Sequence, residues 1–525
     1  MIAGLTVALV VIPQSVAYAG LAGMPLVTGL YAALLPMLVA VLFSQSTRLS
    51  VGPSALSAVL IAASLNGMAE PGSAQWVQLA VWLALIAGAL QILVGATRSA
   101  WVLNLISSPV LAGFTQAAAL LIMASQLPAL FGLKGSLSVL LEARPNLEAL
   151  AYGAGSLALL EIGKRKLPRV PMVLVVLAGA AALSAATGYA SRGLVVGALP
   201  AGLPDLSWPD LLPGAQLAAL LAPALVLTLV SSLEMASSAK IENQRAGRRW
   251  DADQDLIGQG LGKLAAAVCG AFPPSTSFSR SAITLYAGAR TGWATVFTAV
   301  AVLLVLMLFL PALFNVPTSV LAAIVITAVL GLLKPRTFVV LWRLHRVEAT
   351  IAGLTFLATL VSAPRIYWGV LFGVVLGLTH FLYHRLHPRI IEVGLHPDGS
   401  MRDRHLWKLA AIAPHTLALR MDDEFDFASA SALENRLMTG LAERPDVRHV
   451  CLFAQPINRI DATGIEVFGQ IRRQLTARGI TLHISGIKLP VQKMLERAGE
   501  WKDDPMLKTY RTDLEALIAF GRHSA

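Results

Sequence analysis

Apolar segments follow one another along this 525-residue chain up to about residue 384, and they constrain its fold more than any other feature. A helix needs roughly 20 apolar residues to cross a bilayer, and fewer where it is interrupted. The chain is 56% hydrophobic and only 14% charged, which is too little charge for a soluble protein of this length. We therefore predict fourteen membrane segments, at 2–20, 26–43, 52–65, 76–95, 103–127, 147–162, 170–188, 215–238, 255–270, 278–289, 293–311, 317–332, 346–362 and 365–384.

The basic residues of the intervening loops predict the orientation, because cytoplasmic loops are enriched in Lys and Arg. If the N-terminus is cytoplasmic, the outside loops hold only Lys134, Arg144, Arg192 and Arg365. The inside loops then hold Arg48, Arg98, Lys164, Arg165, Lys166, Arg169, Lys240, Arg245, Arg248, Arg249, Arg290, Lys334, Arg336, Arg343, Arg346, Arg385 and Arg389. This asymmetry explains the net charge of +11 without nucleic acid. It predicts a multi-pass protein of the inner or plasma membrane, with both termini cytoplasmic and lipid as a partner.

One apolar segment is interrupted by polar residues and two prolines. Pro273 and Pro274 cannot continue the preceding helix and force extended backbone. Ser277 and Ser279 are suitable N-caps for a short helix over Arg280–Ala287. Irregular backbone at membrane depth survives only where it lines a cavity or is buried in protein. The free amides and positive dipole of a helix N-terminus there suit an anion.

A second interruption, Ser50–Ser54, precedes another short apolar helix. With seven segments in each half of the chain, the two interruptions precede the third segment of each half. Matched broken segments in two halves indicate a binding site near the midplane between inverted repeats. We expect the two helix N-termini to face each other there, with Arg280 adding a full positive charge.

The composition changes after the last apolar segment, so we expect a membrane domain at 1–388, a linker at 389–403 and a soluble domain at 404–525. Alternating strand and helix patterns predict a small α/β domain. The expected elements are strands Thr416–Met421, His449–Phe453 and Thr481–Ile484, and helices near Ser429–Ala442, over Thr463–Ala477 and from Leu489.

Several motifs together resemble the sulfate permease (SulP) anion transporters over essentially the whole chain. They are Ala3–Val7, Pro13–Ala19, Gly29–Tyr31, Ser50–Pro53 and Ser277–Ser281, together with the C-terminal domain. The resemblance implies an α-helical polytopic membrane protein with a seven-plus-seven inverted repeat, divided into core and gate domains. It also implies a cytoplasmic STAS domain and a homodimer. We expect no cofactor.

The same resemblance places the substrate site between the two short helices and the first segment. Carried over by position, it comprises Gln14, Tyr18, Ser54, Phe278, Ser279 and Arg280. Amides and hydroxyls would donate hydrogen bonds to an oxyanion, and aromatic rings would shape the pocket. Simpler roles remain open: Gln14 could join helices, the aromatic rings could pack against helices, and the serines could serve only as N-caps.

Glu234 is the only carboxylate deep in a predicted segment, where an ionised group is unfavourable. It resembles the glutamate of proton-coupled sulfate carriers, which implies that it couples transport to protons. Alternatively, it forms a fixed pair with Arg280 or Lys263. Lys263 departs from the family, whose members commonly carry a neutral polar residue near that position.

The turn from Asp461 to Gly464 resembles the loop that is phosphorylated in anti-sigma-factor antagonists, with Thr463 at the acceptor position. Phosphate is compatible with a helix N-terminus. The same four residues also form an ordinary capped turn between a strand and a helix, so a regulatory role for Thr463 stays open.

These features predict a secondary anion transporter, with proton-coupled sulfate uptake by elevator-type alternating access as the first hypothesis. Transport or exchange of bicarbonate, a dicarboxylate or chloride on the same fold is the alternative, and an anion channel or motor-like protein is a further one. The sequence contains no nucleophile–base pair, metal-ligand cluster or Walker loop, so we expect neither an enzyme nor a metal site.

Overall fold

The computed structural model describes residues 1–135, 137–167, 170–200, 202–501 and 504–523, so Arg169 lies outside the described residues. The chain forms two compact units, Met1–Gly377 and Leu378–Ala525. Two short strands in the first unit are β1 (Val51–Gly52) and β2 (Ser275–Thr276). The helices up to the unit boundary are α1 (Ile2–Leu21), α2 (Val27–Ala32), α3 (Leu35–Phe43), α4 (Ala55–Leu65), α5 (Ala74–Ala96), α6 (Ser108–Leu130), α7 (Val139–Glu142), α8 (Leu147–Lys166), α9 (Met172–Thr187), α10 (Gly214–Ala246), α11 (Ala252–Val268), α12 (Phe278–Tyr286), α13 (Trp293–Leu304), α14 (Thr318–Leu330), α15 (Arg336–Leu344), α16 (Arg346–Val361) and α17 (Tyr367–Leu386).

Each of the fourteen expected segments overlaps a helix of the structure. Within the described residues, six helices are long and apolar enough to span a membrane, and the others are shorter or interrupted. The second segment is divided into α2 and α3, with Pro36 in the first turn of α3, because proline begins a helix readily but does not continue one. Arg336 and Arg343, expected in a loop, lie instead on the additional helix α15.

The helices of the first unit pack into two groups. In one group, α11 packs against α3 and α5, α10 against α4 and α5, and α1 against α12 and α13. In the other, α6 packs against α14 and α16, and α8 against α9 and α14. Each group takes helices from both halves of the chain, which is the arrangement expected of a core and a gate domain built from inverted repeats.

Small residues allow the membrane helices to approach closely, as is usual where lipid provides no hydrophobic drive for association. A Cβ atom on Gly88 of α5 would lie 2.8 Å from the carbonyl oxygen of Gly260 on α11. A Cβ atom on Gly29 of α2 would lie 1.9 Å from the carbonyl oxygen of Ser15 on α1. A backbone oxygen cannot move aside as a flexible side chain can, so glycine is required at both positions.

We predict that Gly29→Ala lowers the melting temperature of the detergent-solubilised protein, because overpacking costs about 1–3 kcal/mol of unfolding free energy. Gly179→Ala on α9 is the matched control, because a Cβ atom there meets nothing within 4 Å. Thermal unfolding followed by intrinsic fluorescence measures both variants. Equal melting temperatures for the two alanine variants would contradict the close contact between α1 and α2.

The second unit contains a six-stranded sheet of order β4-β3-β5-β6-β7-β8 in the described residues. Strands β5 to β8 are parallel, and β3 runs antiparallel to β5. The strands are β3 (Ile390–Leu395), β4 (Met401–Asp403), β5 (Thr416–Met421), β6 (His449–Phe453), β7 (Thr481–Ser485) and β8 (Leu507–Tyr510). The helices are α18 (Ala430–Glu443), α19 (Ala462–Ala477), α20 (Leu489–Arg497) and α21 (Asp513–His523).

Within residues 389–403, where we expect a linker, β3 and β4 add two strands to the sheet of the second unit. The sequence of β3 did not predict a strand, since its centre carries Glu392. This carboxylate is only 4% exposed, yet it accepts hydrogen bonds from Arg404 at 2.6 Å and Arg444 at 2.9 Å and contacts His405 at 3.1 Å. The cations compensate the charge that would otherwise exclude glutamate from a buried strand.

Burial alone would raise the pKa of Glu392, but the hydrogen bond from Arg404 and the charges of Arg444 and Arg404 outweigh it and hold the pKa below its ordinary value. A carboxylate with a lowered pKa in the folded state stabilises the fold above the pKa of the unfolded chain, about 4.3. That stabilisation is lost as the pH falls through the lowered pKa of the folded state.

We therefore predict that Glu392→Gln lowers the melting temperature of the second unit at pH 7, and that the deficit shrinks below about pH 4.3. Thermal unfolding of the full chain between pH 7.5 and pH 3.5 measures the difference. Glu443→Gln, at an exposed position on α18, is the control and should leave the pH dependence unchanged. A deficit that is constant with pH would contradict a stabilising charge on Glu392.

Candidate functional site

The two interrupted segments meet directly, although they are more than two hundred residues apart in the chain. Strands β1 and β2 pair antiparallel, with Val51 opposite Thr276 and Gly52 opposite Ser275. The amide of Ser277 extends the pairing by donating to the carbonyl of Ser50 at 3.1 Å. Because α4 follows β1 and α12 follows β2, the N-termini of both short helices start from one small two-stranded ribbon.

Serine side chains cap both short helices. Ser54 Oγ accepts a hydrogen bond from the amide of Ser57 at 3.2 Å, and Ser277 Oγ accepts one from the amide of Arg280 at 3.5 Å. The second helix begins at Phe278, two residues before the expected start, so Ser279 lies in its first turn and is not its cap. The remaining first-turn amides of each helix have no intrahelical partner and can donate to an anion.

Arg280 connects the two halves of the chain. Its side chain is buried, with Nη1 donating to the carbonyl of Pro53 at 2.6 Å and to Oε1 of Gln14 at 3.5 Å. Its Nε donates to Ser50 Oγ at 3.3 Å. In the described part of the chain, Nη2 has no hydrogen-bond partner. Leaving a buried donor of a charged group unpaired is unfavourable, so an anion oxygen accepting from Nη2 would stabilise the site.

The predicted residues of the first helix lie on one face of α1, which packs against both α4 and α12. Gln14 and Tyr18 are four residues apart, and both are buried. Gln14 contacts Arg280, as described above, and Tyr18 lies one helical turn further along. The structure thus brings Gln14, Ser54 and Arg280 together in the interior, with Tyr18 beside them on α1.

The other two predicted residues are accessible. Phe278 is 51% exposed and Ser279 is also exposed, in the first turn of α12. Ser279 Oγ lies 3.3 Å from Ser277 Oγ. Phe278 and Ser279 are thus accessible to a ligand, whereas the side chain of Arg280 is buried.

Glu234, on α10, contacts the ribbon from a third element. Its Oε2 accepts hydrogen bonds from Ser275 Oγ at 2.6 Å and from Ser54 Oγ at 3.3 Å. Among the described residues it forms no ion pair within 4.0 Å, so a fixed salt bridge with Arg280 or Lys263 is not present in this structure. Ser275 was not predicted, and its only sequence signal is its place directly after the two prolines.

Lys263 is fully buried on α11 and points towards a different polar cluster. Its Nζ donates to Gln91 Oε1 at 2.8 Å, and Gln91 Nε2 donates to Ser232 Oγ at 2.8 Å and Ser231 Oγ at 3.2 Å. The side-chain amide of Gln91 therefore connects Lys263 to Ser232 and Ser231 on α10, which lie two and three residues before Glu234. The sequence did not indicate Gln91, because a lone glutamine in an apolar helix has many possible partners.

In the second unit, Asp461 rather than Thr463 makes the cap of α19. Its Oδ1 accepts from the amide of Gly464 at 2.8 Å, and its Oδ2 accepts from the amide of Phe427 at 3.0 Å. Thr463 is exposed in the first turn of the helix. The residue is accessible to a kinase, and its phosphorylation stays a prediction.

With this geometry established, comparisons identify the family. A profile of the sulfate permease family matches residues 1–355, and a STAS domain profile matches residues 408–512. The chain belongs to the sulfate permease family. The probable sulfate transporter 4.2 of Arabidopsis thaliana is 30% identical over 95% of this chain and 77% of its own length. The probable sulfate transporter Rv1739c of Mycobacterium tuberculosis is 30% identical over 98% of this chain and 94% of its own length.

Solved structures share the fold at lower identity. The murine anion transporter Slc26a9 in its inward-facing state aligns with a TM-score of 0.87 and 18% identity, over 99% of this chain and 90% of that one. The transmembrane domain of the cyanobacterial bicarbonate transporter BicA aligns with a TM-score of 0.61 and 19% identity, over 72% of this chain and 96% of that one. This sulfate permease family member is thus a multi-pass membrane transporter of anions with a C-terminal STAS domain, and not an enzyme.

We predict that Arg280→Gln removes anion-dependent stabilisation. Sulfate, selenate, bicarbonate, oxalate and chloride are added in turn to the detergent-solubilised protein, and the melting temperature is recorded. A hydrogen bond to a charged group contributes about 1.5–3 kcal/mol, so the affinity for the best anion should fall roughly 10- to 100-fold. Arg290→Gln, at an exposed arginine beyond the same helix, should bind as the wild type does. Unchanged affinity in Arg280→Gln would remove this residue from the site.

Proposed function

We propose that this protein is a secondary active transporter that takes up sulfate together with protons. Sulfate is favoured because the relatives with 30% identity over nearly the whole chain are named sulfate transporters. A dianion also suits the donors of the site, which are two sets of first-turn amides, serine hydroxyls and one guanidinium. We propose that the substrate contacts are made by Gln14, Tyr18, Ser54, Phe278, Ser279 and Arg280.

The observation that carries the coupling hypothesis is the double hydrogen bond to Glu234. Its carboxylate accepts from one serine of each interrupted segment, Ser54 and Ser275. Ser275 belongs to the ribbon, and Ser54 caps the short helix α4 that follows the ribbon's other strand. Addition or loss of a proton on Glu234 therefore acts directly on the elements that would bind the anion.

Charge explains why proton and anion should be carried together. An ionised Glu234 and a bound dianion would place three negative charges against the single positive charge of Arg280. A proton on Glu234 removes one of these repulsions, so protonation favours anion binding and anion binding favours protonation by the same factor. Release of the anion on the other side of the membrane would then favour release of the proton.

An elevator-type movement needs the site to move as a rigid body, and buried contacts support this. The segment before β1 is fixed to the α10–α11 pair, since Asp255 accepts from Ser46 Oγ at 2.5 Å and Glu242 accepts from Arg48 Nε at 3.0 Å. Asp255 and Glu242 are both buried. We propose that the helix group holding the ribbon slides as one body against the group formed by α6, α8, α9, α14 and α16. We further propose a homodimer and cytoplasmic termini, the latter from loop charge.

Uptake of labelled sulfate into proteoliposomes tests the function. We expect saturable accumulation that is driven by an inward proton gradient and lost when the gradient is collapsed. If bicarbonate, a dicarboxylate or chloride is taken up in preference to sulfate, that anion would replace sulfate as the proposed substrate. Large unitary currents in planar bilayers would indicate a channel instead.

Glu234→Gln is predicted to abolish gradient-driven accumulation while sulfate–sulfate exchange continues, because the amide keeps the size of the side chain but cannot take up a proton. Glu142→Gln, at an exposed position on α7, is the control and should retain both activities. Accumulation that still follows the pH gradient in Glu234→Gln would refute the coupling role.

A further inference from the structure

Helix α15 lies between two membrane segments but spans no membrane itself. It has nine residues, and none of them is buried. Phe338 and Leu341 are half-buried, and the ring of Phe338 meets that of Phe356 on α16 edge-on at 5.7 Å. One side of α15 is therefore fixed against α16, and its other sides have no protein cover in the described part of this unit.

The uncovered surface of α15 is largely apolar. Val339 and Val340 are 53% and 52% exposed, Trp342 is 58% exposed and Leu344 is 75% exposed. At 100° per residue Trp342 and Leu344 flank the side that contacts α16, whereas Val339 and Val340 lie about 40° from Arg343 and Arg336 on the opposite side. Four large apolar residues exposed on so short a helix indicate contact with a partner or a membrane.

The remaining edge of this helix is basic. Arg336 and Arg343 are seven residues apart, which is two helical turns, so they lie on one edge, away from α16. Lys334 precedes the helix and Arg346 follows it, and all four side chains are exposed. No carboxylate forms an ion pair with any of the four within the described residues. Apolar flanks with unpaired cations at the outer edge are typical of helices that lie in a membrane interface.

Chain length limits which surface α15 can contact. Five residues separate the end of α14 at Leu330 from Arg336, and a fully extended connection of that length reaches at most about 18 Å. His345 alone separates α15 from α16. Because both neighbouring helices overlap predicted membrane segments, we expect α15 at the level where the chain leaves and re-enters the bilayer.

We propose that α15 is an interfacial membrane helix that binds anionic phospholipid headgroups through Arg336 and Arg343, while Trp342 and Leu344 enter the headgroup–acyl boundary. Headgroup phosphates supply the negative charge that these arginines lack within the protein. The helix thereby anchors α14 and α16, which belong to the helix group proposed to stay fixed during transport, against vertical displacement in the bilayer.

An environment-sensitive fluorophore tests the insertion. Leu344→Cys is labelled with a nitrobenzoxadiazole dye in the full-length protein, in nanodiscs of phosphatidylcholine with phosphatidylglycerol. The native Cys269 and Cys451 are both buried and should not react under native conditions. We expect a blue-shifted emission that is quenched more by lipid spin-labelled at carbon 5 than at carbon 12. Glu496→Cys on α20 is the control, and an emission equal to that of the control would overturn the proposal. A blue shift that appears only at high protein concentration would indicate contact with a second copy and would also overturn it.

The charge component is tested separately by native mass spectrometry of retained lipids. The double variant Arg336→Gln/Arg343→Gln should lose its preference for phosphatidylglycerol over phosphatidylcholine by roughly fivefold per arginine removed. Arg478→Gln/Arg497→Gln removes the same charge from exposed positions of the second unit and should keep the preference. An unchanged preference in the α15 variant, or an equal loss in both variants, would overturn the proposal.

Discussion

The antiparallel pairing of two interrupted helices, fixed by one buried arginine, is the interaction on which the rest of the first unit depends. Neither segment can satisfy its own backbone where it is extended, and lipid offers no hydrogen bonds in place of water. The pairing of β1 with β2 satisfies backbone groups of both segments. The carbonyl of Pro53 lies outside this pairing and accepts a hydrogen bond from Arg280. The consequence is functional, because the arrangement that satisfies the extended backbone also gathers two helix N-termini in one place.

The charges of the site follow from the same constraint. The side chain of Arg280 is buried and donates hydrogen bonds to Ser50, Pro53 and Gln14, and among the described residues its Nη2 has no hydrogen-bond partner. Glu234 accepts hydrogen bonds from Ser275 of the ribbon and from Ser54, the cap of α4, whereas Lys263 donates a hydrogen bond to Gln91. Cation and acid are therefore separate among the described residues. In the proposed mechanism, an entering anion would meet one positive group and one group whose charge depends on a proton.

Local chemistry made much of this predictable. Pro273 and Pro274 predicted the interruption before α12, and the lengths of the apolar runs predicted the membrane segments. Ser54 has the predicted capping role. The predicted start of α12 was wrong by two residues, because the sequence offers both Ser277 and Ser279 as suitable N-caps. The strand pairing of β2 places Ser277 directly before the helix. Ser54 and Ser275, the partners of Glu234, lie 180 and 41 residues away, and Gln91 lies 172 residues from Lys263, so no local pattern contained them. The strand β3 was missed because the cations that neutralise Glu392 lie outside it.

The most direct test of the central claim is a cryo-electron microscopy map of the protein in lipid nanodiscs, recorded with and without saturating selenate as a heavier analogue of sulfate. The account predicts added density in contact with Arg280 Nη2 and the first-turn amides of both α4 and α12. Density elsewhere, or a map in which α4 and α12 do not start from a shared ribbon, would contradict it.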